Sequence, residues 1–334
     1  MTLRVAILGC GAVANVIYRP ALKEVQADLE LVGAADLNPE SGQNLLREFP
    51  QAKFFCDYRQ MLAELRPDAA IVALPHAFHK TASVDAMRLG IDVFCEKPMA
   101  MNSAECDEIE KVVGETGRVF TVNMFRRLFP SVKEIKRMID ADAFGAGRAF
   151  EITEGGPYGW PAMSFSFFDR KIAGGGVLMD SGVHTLDLLQ WLLGETRVVE
   201  FFDDASADGV ECDCVANLTA GNAQGSLRMS RSVTMPNVYR LEFEHGWIEW
   251  DHDDGNCFRF CVAGGEVVNG EVQCDPHWSS GARFIYALAQ QLRNFARACR
   301  RKSAEDVVTA AEARKSVDTI TLCYANRSQL VMSR

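Results

Sequence analysis

The sequence has no long hydrophobic run and no excess of positive charge. None of its apolar stretches approaches the roughly 18 consecutive residues that a membrane-spanning helix requires. The formal net charge is −10, so the basic stripe that is typical of nucleic-acid-binding proteins is missing as well. We therefore expect neither a membrane span nor a nucleic-acid partner.

A signal peptide and a disulfide framework are also missing. The first apolar run, residues 5–8, is too short for the hydrophobic region of a signal peptide. The 11 cysteines are odd in number and scattered, which favours free thiols and a cytoplasmic location. Two close pairs, Cys212 with Cys214 and Cys257 with Cys261, lack zinc-finger spacing, so we predict no metal site.

Apolar runs alternate with stretches of helical periodicity through residues 1–122. Continuous apolar strands joined by helices are typical of a parallel sheet that is buried on both faces. Asp57, and Asn102 or Ser103, are candidate N-caps of the connecting helices, and Pro20 is expected to kink the first helix. The pattern predicts a doubly wound, dinucleotide-binding Rossmann domain whose six strands are residues 4–8, 29–35, 53–55, 69–74, 91–95 and 119–122.

The pattern changes in residues 123–334, which we assign to a second, α/β domain. Its strand-like runs alternate apolar and polar residues, which predicts a largely antiparallel sheet with one covered face. These runs are residues 147–154, 198–203, 212–219, 224–231, 239–244, 247–250 and 257–262. Helices are predicted at 131–139, 183–193, 282–299 and 304–324, and the last two are candidates for packing back on the first domain.

The first predicted strand leads into Gly9-Cys10-Gly11-Ala12-Val13-Ala14, a G-x-G-x-x-A pattern. The first glycine permits a tight turn and the second lets the backbone approach a pyrophosphate at a helix N-terminus. The small third residue lets helix and strand pack closely. Because the motif lies between a strand and a helix, Gly9, Gly11, Ala12, Val13 and Ala14 are predicted to bind a dinucleotide.

The second strand ends at Asp36, where a carboxylate can accept hydrogen bonds from the adenosine ribose and repel a 2′-phosphate. No arginine follows in Leu37-Asn38-Pro39, so NAD is favoured over NADP. After the fourth strand, the backbone of Leu74 and Pro75 is predicted to line the cofactor. His76 and His79 in the same turn either contact the cofactor or pack in the core.

The segment Cys95-Glu96-Lys97-Pro98 follows the fifth strand, at the sheet edge where ligands bind in such folds. Lys97 can hydrogen-bond the reacting oxygen and stabilise developing negative charge. Glu96 would pair with the lysine or orient the cofactor, and Asn123 can reach the nicotinamide or the substrate. The alternative is a plain salt bridge at a strand end.

A second polar segment starts with Gly174-Gly175-Gly176, whose backbone can approach a ligand without obstruction by side chains. Asp180 and His184 lie four residues apart and are expected on one helix face. Opposing effects of the helix terminus and Asp180 would put the pKa of His184 near working pH, as a general base requires. The alternatives are an N-cap aspartate and a core histidine. Asp187 is interpreted as a packing partner.

An aromatic loop, residues 155–161, is rich in glycine and proline. Its Tyr158 and Trp160 can stack on the C–H face of a sugar, which makes them candidate substrate contacts. They can equally cover the sheet.

With these motifs in place, the chain resembles the Gfo/Idh/MocA family of oxidoreductases over nearly its whole length. The resemblance implies a large open sheet in the second domain, a homodimer or homotetramer, and a hydroxyl-rich substrate. It implies that Lys97, Asp180 and His184 form the catalytic and substrate-binding set. His184 would exchange the hydroxyl proton, Asp180 would support it and Lys97 would bind the reacting oxygen. Leu74-Pro75-His76 departs from the Thr-Pro-Asn usual in that family.

The favoured function is therefore hydride transfer between NAD, or less readily NADP, and a secondary hydroxyl or keto group of a sugar, sugar derivative or cyclitol. Two alternatives remain open: a glycoside hydrolase that retains its NAD, and a non-catalytic NAD-binding regulator. Release of a glycone without net change in cofactor absorbance would indicate the first alternative. The presence of Lys97, Asp180 and His184 together argues against the second.

Overall fold

Six parallel strands form the first sheet of the computed structural model, which describes residues 2–330 except 160, 162–164, 207–208, 263, 275, 280–281 and 302–306. Their spatial order is β3-β2-β1-β4-β5-β6, and the predicted doubly wound sheet is confirmed. Every residue of β4 and β5 is buried, because helices cover both faces. The strands are β1 (Leu3–Leu8), β2 (Leu29–Ala35), β3 (Lys53–Phe55), β4 (Ala69–Val72), β5 (Asp92–Cys95) and β6 (Phe120–Val122).

Side-chain caps set the starts of the connecting helices. The Asp57 carboxylate accepts a hydrogen bond from the Arg59 amide, and Asn102 accepts one from the Glu105 amide. Each bond satisfies an N–H group that has no partner within the helix. The helices are α1 (Arg19–Glu24), α2 (Pro39–Leu46), α3 (Tyr58–Leu65), α4 (His79–Arg88) and α5 (Ser103–Thr116).

The first helix differs from the expected kinked helix. A π-helical turn, Ala14–Tyr18, follows the glycine loop, and α1 begins directly after it with Pro20 in its first turn. Proline is tolerated in a first helical turn because its missing N–H would have no intrahelical partner there. The chain therefore changes its helix type before Pro20 and starts a new helix around it.

Nine strands of the described residues form the second sheet, in the order β14-β13-β12-β11-β7-β10-β9-β8-β15. The pairs β7–β10 and β8–β15 are parallel and the others are antiparallel, so a mostly antiparallel sheet is confirmed. The strands are β7 (Gly147–Gly155), β8 (Thr196–Asp203), β9 (Asp213–Ala220), β10 (Ala223–Ser230), β11 (Met235–Phe243), β12 (Gly246–Asp251), β13 (Cys257–Val262), β14 (Val268–Glu271) and β15 (Arg327–Gln329).

Two of these strands, β14 and β15, have no counterpart in the predicted set. Both are short strands at the edges of the sheet, and their side chains are exposed or half-buried. Without a buried face, an edge strand has no need for alternating apolar residues. The sequence therefore carried no periodic signal for them.

The second sheet is covered on one face, as the strict alternation of buried and half-buried residues along β9 shows. Helix α9 packs back on the first sheet, where the Phe295 ring lies 5.4 Å from the Phe94 ring. Helix α10 packs against α5 and α8. No helix in the described ranges is both long and apolar enough to cross a membrane. The helices of this half are α6 (Pro130–Asp140), α7 (Arg170–Ala173), α8 (Val183–Leu193), α9 (Arg283–Arg301) and α10 (Ala310–Ala325).

Candidate active site

The glycine loop after β1 is tightly folded against the sheet. Gly9 has a φ of +96°, and a Cβ at this position would collide with the Ala73 carbonyl. The Asp36 carboxylate accepts a hydrogen bond from the Cys10 amide at 2.6 Å and a second from the Asn38 amide at 2.8 Å. Asp36 thus ties the end of β2 to the loop, a role that the sequence did not indicate. A carboxylate has about four acceptor positions, so two remain for a ribose.

The loop also has the features that a pyrophosphate requires. A Cβ on Gly11 would meet no described residue within 4 Å, so a ligand can approach the backbone there. Val13 directly precedes the π-helical turn and provides no side-chain cap, which leaves backbone N–H groups for an anion. Ala12 is buried, and Ala14 is fully buried in the core of the first sheet, where only a small side chain fits. These residues fit a dinucleotide.

His79 is a packing residue, and the prediction that it contacts the cofactor is wrong. Its side chain is fully buried, Nδ1 lies 2.7 Å from the Pro98 carbonyl and Nε2 lies 2.6 Å from the Leu74 carbonyl. Both ring nitrogens are therefore occupied by the backbone. The imidazole ties the turn after β4 to the Lys97-Pro98 segment, and burial lowers the pKa of His79.

His76 lies in the same turn, directly after Leu74 and Pro75, and remains available to a ligand. Its Nδ1 lies 2.8 Å from the Ala173 carbonyl, so Nδ1 carries the proton and Nε2 is an acceptor. Burial, followed by the nearby His79 and Lys97, lowers the pKa of His76 to about 3. The neutral imidazole links the turn to the chain just before the three glycines.

Glu96 does not pair with the Lys97 ammonium, which corrects one of the two expected roles. Its Oε1 accepts hydrogen bonds from the Tyr18 hydroxyl at 2.6 Å and from the Asn123 amide nitrogen at 2.7 Å. The amide oxygen of Asn123 is buried and has no hydrogen-bond partner among the described residues. Buried polar groups are rarely left unpaired, so this oxygen fits a donor brought by a cofactor.

Lys97 meets Asp180, which is 83 positions away in the chain. The ammonium donates to Asp180 Oδ1 at 2.6 Å and to the Asp180 backbone carbonyl at 2.7 Å. Arg231 donates from Nη2 to the other carboxylate oxygen, Oδ2, at 2.5 Å. Burial acts to raise the pKa of Asp180, but Lys97 and then Arg231 outweigh it and hold that pKa well below its usual range. Asp180 is therefore an ionised carboxylate between two cations.

His184 begins α8 close to this pair, but its expected titration near working pH is wrong. The side chain is buried against the Phe125 ring at 4.8 Å, and Nδ1 has no partner in the described part of the chain. Burial, then Arg126 and Lys97, lower the pKa of His184 well below its usual value. Asp180 cannot counter them because its charge is shared by two cations. The imidazole is neutral and can accept a proton, although its low pKa makes it a weaker base than the sequence predicts.

Two of the three glycines, Gly175 and Gly176, make room for the protein's own chain rather than for a ligand. A Cβ on Gly176 would overlap the Glu211 backbone, and one on Gly175 would overlap the Tyr324 hydroxyl. The Glu211 carboxylate accepts hydrogen bonds from the amides of Gly176 and Leu178 at 2.8 and 3.1 Å, and from the Tyr324 hydroxyl at 2.7 Å. Glycine is needed because Glu211 and α10 lie directly against this backbone.

The remaining predicted residues are Tyr158, Trp160 and Asp187. The Tyr158 ring lies beside the cleft, with the Arg231 guanidinium 5.1 Å from its centre, whereas Trp160 lies outside the described residues. Asp187 pairs with Arg127 at 2.7 Å and is a packing partner. Arg231 itself was missed, because it is the last residue of a predicted strand and no motif marks it.

The fold places this chain among Rossmann proteins whose parallel sheet is joined to a second, mixed sheet. Residues 3–124 match the GFO_IDH_MocA oxidoreductase family, described as having an NAD-binding Rossmann fold, and residues 132–249 match the GFO/IDH/MocA C-terminal domain. The chain therefore belongs to the Gfo/Idh/MocA oxidoreductase family.

Two curated relatives and one solved structure illustrate its similarities. The chain is 29% identical over 195 residues to D-glucoside 3-dehydrogenase of Escherichia coli (strain K12), covering 58% of this chain and 54% of that protein. It is 33% identical over 221 residues to a putative UDP-kanosamine synthase oxidoreductase subunit of Amycolatopsis mediterranei (strain S699), covering 63% and 57%. The chain thus spans little more than half the length of these relatives.

Levoglucosan dehydrogenase in complex with NADH and levoglucosan has a similar structure, with a TM-score of 0.85 over 97% of this chain and 98% of that one. The sequence identity is 18%, so this likeness shows a shared fold.

Proposed function

We propose that this protein transfers a hydride between a nicotinamide cofactor and a secondary hydroxyl or keto group of a sugar, sugar derivative or cyclitol. The observation that carries the proposal is the Lys97–Asp180 pair at the end of β5, near a neutral His184. An ammonium has three N–H donors. Two N–H donors of the Lys97 ammonium bond to Asp180. The third donor has no acceptor among the described residues and is free for the reacting oxygen.

Bound nicotinamide would supply or take up the hydride, and the residues of this chain would manage the oxygen and its proton. Lys97 donates a hydrogen bond to the substrate oxygen and stabilises the negative charge that develops on it. His184 accepts the hydroxyl proton during oxidation and returns it during reduction. Asp180 stays ionised, keeps the ammonium in place and does not itself take the proton.

We propose NAD as the preferred cofactor. Gly9, Gly11, Ala12, Val13 and Ala14 would hold its pyrophosphate, and the free acceptor positions of Asp36 would bind its ribose hydroxyls. Residues Leu74, Pro75 and His76 would line it at the sheet edge, and Glu96 would orient Asn123 toward it. A 2′-phosphate would lie against the Asp36 carboxylate, which disfavours NADP.

We also propose that residues 1–122 form the cofactor domain and residues 123–334 the substrate domain of a homodimer or homotetramer. The uncovered face of the second sheet supports the oligomer, because it is the large surface that helices leave open. All 11 cysteines are free, which supports a reducing, cytoplasmic location.

The test is a screen of sugars, inositols and nucleotide sugars with NAD and with NADP. The absorbance of the reduced cofactor reports turnover. We expect turnover with at least one polyol or its keto form. His184→Ala should lower kcat by roughly 10²–10⁴-fold while cofactor affinity stays unchanged. A release of glycone without net cofactor reduction, or wild-type turnover in the His184 variant, would contradict the proposal.

A separate measurement checks the cofactor assignment. Asp36→Ala should raise the Kd for NAD by roughly tenfold or more, because a charge-assisted hydrogen bond contributes about 1.5–3 kcal/mol. The same substitution should narrow the difference in affinity between NAD and NADP. Asp57→Ala, which removes a helix cap far from the loop in sequence, serves as the matched control. Unaltered NAD affinity in Asp36→Ala would remove this residue from the site.

A further inference from the structure

Arg231 has hydrogen-bond donors that the described residues leave unused. The side chain follows β10 and is only 7% exposed, with Nη2 donating to Asp180 Oδ2 at 2.5 Å. A guanidinium carries five N–H donors. No described residue accepts a hydrogen bond from the other donors of Arg231. These donors are therefore available to a ligand that replaces water there.

Tyr158, which lies next to Arg231, also has a hydrogen-bonding group without a partner among the described residues. The Tyr158 amide donates to the Arg231 carbonyl at 3.0 Å, and the Arg231 guanidinium stacks 5.1 Å from the centre of the tyrosine ring. The two side chains therefore hold each other in place. The Tyr158 hydroxyl is shielded from solvent and has no partner among the described residues. Burial and the nearby Asp180 raise the pKa of Tyr158 to about 12, so the hydroxyl keeps its proton and can donate it in a hydrogen bond.

Two cations and one carboxylate meet at Asp180. Lys97 and Arg231 are both cationic and share the single carboxylate of Asp180. The neighbouring imidazoles of His76 and His184 are neutral, because burial lowers the pKa of each. A neutral polyol would supply hydrogen-bond acceptors but no negative charge for the Arg231 guanidinium, which shares the Asp180 carboxylate with Lys97. An anionic ligand supplies both the hydrogen-bond acceptors and the negative charge.

We propose that Arg231 and Tyr158 form a carboxylate subsite, and that the substrate is accordingly a sugar acid. The planar fork of a guanidinium matches the two oxygens of a carboxylate, and the tyrosine hydroxyl can donate a third hydrogen bond. Lys97, on the other side of Asp180, would bind the reacting oxygen of the same molecule. This inference rests on the proposed dehydrogenase function and narrows its substrate class.

The first test measures binding rather than turnover. Calorimetric titrations of the NADH-loaded protein would compare D-glucuronate with D-glucose, D-galacturonate with D-galactose, and D-glucose with D-glucose 6-phosphate. We expect at least one acid to bind tenfold or more tightly than its neutral partner. Failure of both acids to do so overturns the subsite, and tighter binding of the phosphate than of either acid overturns the choice of a carboxylate. Binding of an acid without turnover would leave the subsite standing and contradict the dehydrogenase proposal.

Variants then separate recognition from a structural role. Arg231→Gln should raise the Kd for the acid by roughly tenfold to a hundredfold and leave that for the neutral sugar nearly unchanged. Arg240→Gln is the matched control, since Arg240 also stacks on an aromatic ring, Trp247 at 4.3 Å, and pairs with Glu242. If Arg231→Gln raised the Kd for the acid and for the neutral sugar equally, Arg231 would only position Asp180 and would not recognise a carboxylate.

Tyr158→Phe gives a second, independent readout. Because the hydroxyl has no partner among the described residues, its removal should leave the unfolding temperature of the ligand-free protein unchanged or slightly higher. The Kd for the acid should still rise severalfold. An unchanged Kd for the acid would exclude the hydroxyl from the subsite.

Discussion

Two groups of charges lie near His184 and differ in how completely their hydrogen bonds are filled. In the first, which we name the Arg126 network, Arg126 donates to both oxygens of Glu154 at 2.8 and 2.9 Å and to the Tyr239 hydroxyl at 2.8 Å. Thr185 and Tyr239 also donate to Glu154, each at 2.8 Å. The second is the Lys97 cluster of Lys97, Asp180 and Arg231, in which donors of both cations are left over.

The difference in hydrogen bonding distinguishes a group that stabilises the fold from a group that acts on a ligand. A buried ion pair with several hydrogen bonds to its neighbours holds those elements in one arrangement, and here it joins β7, β11 and α8. A buried pair with unfilled donors costs free energy unless a ligand completes it. The two groups should therefore respond in opposite ways to mutation: the Arg126 network through stability and the Lys97 cluster through activity.

The largest effect is expected at Lys97. Lys97→Met should lower kcat by roughly 10²–10³-fold, the usual cost of removing a donor that stabilises developing negative charge. The free energy of unfolding should fall by less than it does in a variant of the Arg126 network, because Asp180 keeps its bond to Arg231 and is not left as an unpaired charge. Lys80→Met, which breaks the exposed Lys80–Glu108 pair, is the control and should leave both quantities unchanged. Wild-type turnover in Lys97→Met would show that the Lys97 cluster, like the Arg126 network, has no catalytic role.

The Arg126 network should respond in the opposite way. Arg126→Met leaves the Glu154 carboxylate buried without its main partner, and breaking such a pair typically costs about 3–5 kcal/mol. Denaturant unfolding would measure this loss. Arg148→Met, which breaks an exposed pair with Glu244, is the control and should cost less than about 1 kcal/mol. A similarly small loss in Arg126→Met would show that the network does not support the fold.

A smaller effect should appear in the pH dependence of stability. Burial acts to lower the pKa of His252, but the Glu154 carboxylate, and then Asp253, raise it to about 9. The folded pKa thus lies above the unfolded value of about 6.5, so this contribution to stability is complete below about pH 6.5 and is lost as pH rises through 9.

Unfolding free energies measured between pH 6 and 10 would check this direction. His252→Gln cannot titrate and should flatten the decline between pH 7 and 9. An equally steep decline in this variant would assign the pH dependence to other groups.

The sequence predicted most strands, several helix starts and the family, because those features are local. Asp57 and Asn102 cap the helices that follow them directly. Contacts across the chain escaped prediction: the Glu96 partner Tyr18 is 78 positions away, and Arg231 is 51 positions from Asp180. No local pattern records such pairings, since they depend on how elements distant in sequence pack together.

The glycine segment shows the same limit in another form. Three adjacent glycines indicate that something approaches the backbone closely, but the sequence cannot say whether it is a ligand or the protein itself. Here Glu211 and Tyr324 occupy the space. The edge strands β14 and β15 escaped for a different reason, because exposed edges have no hydrophobic period.

The clamp of Gly176 by Glu211 and Tyr324 also bears on how the protein is made. Residues of a nascent chain leave the ribosome in order, and N-terminal units generally fold first. The backbone that carries Asp180 receives its Tyr324 contact only when α10 docks. The candidate catalytic site is therefore completed only after α10 has been synthesised.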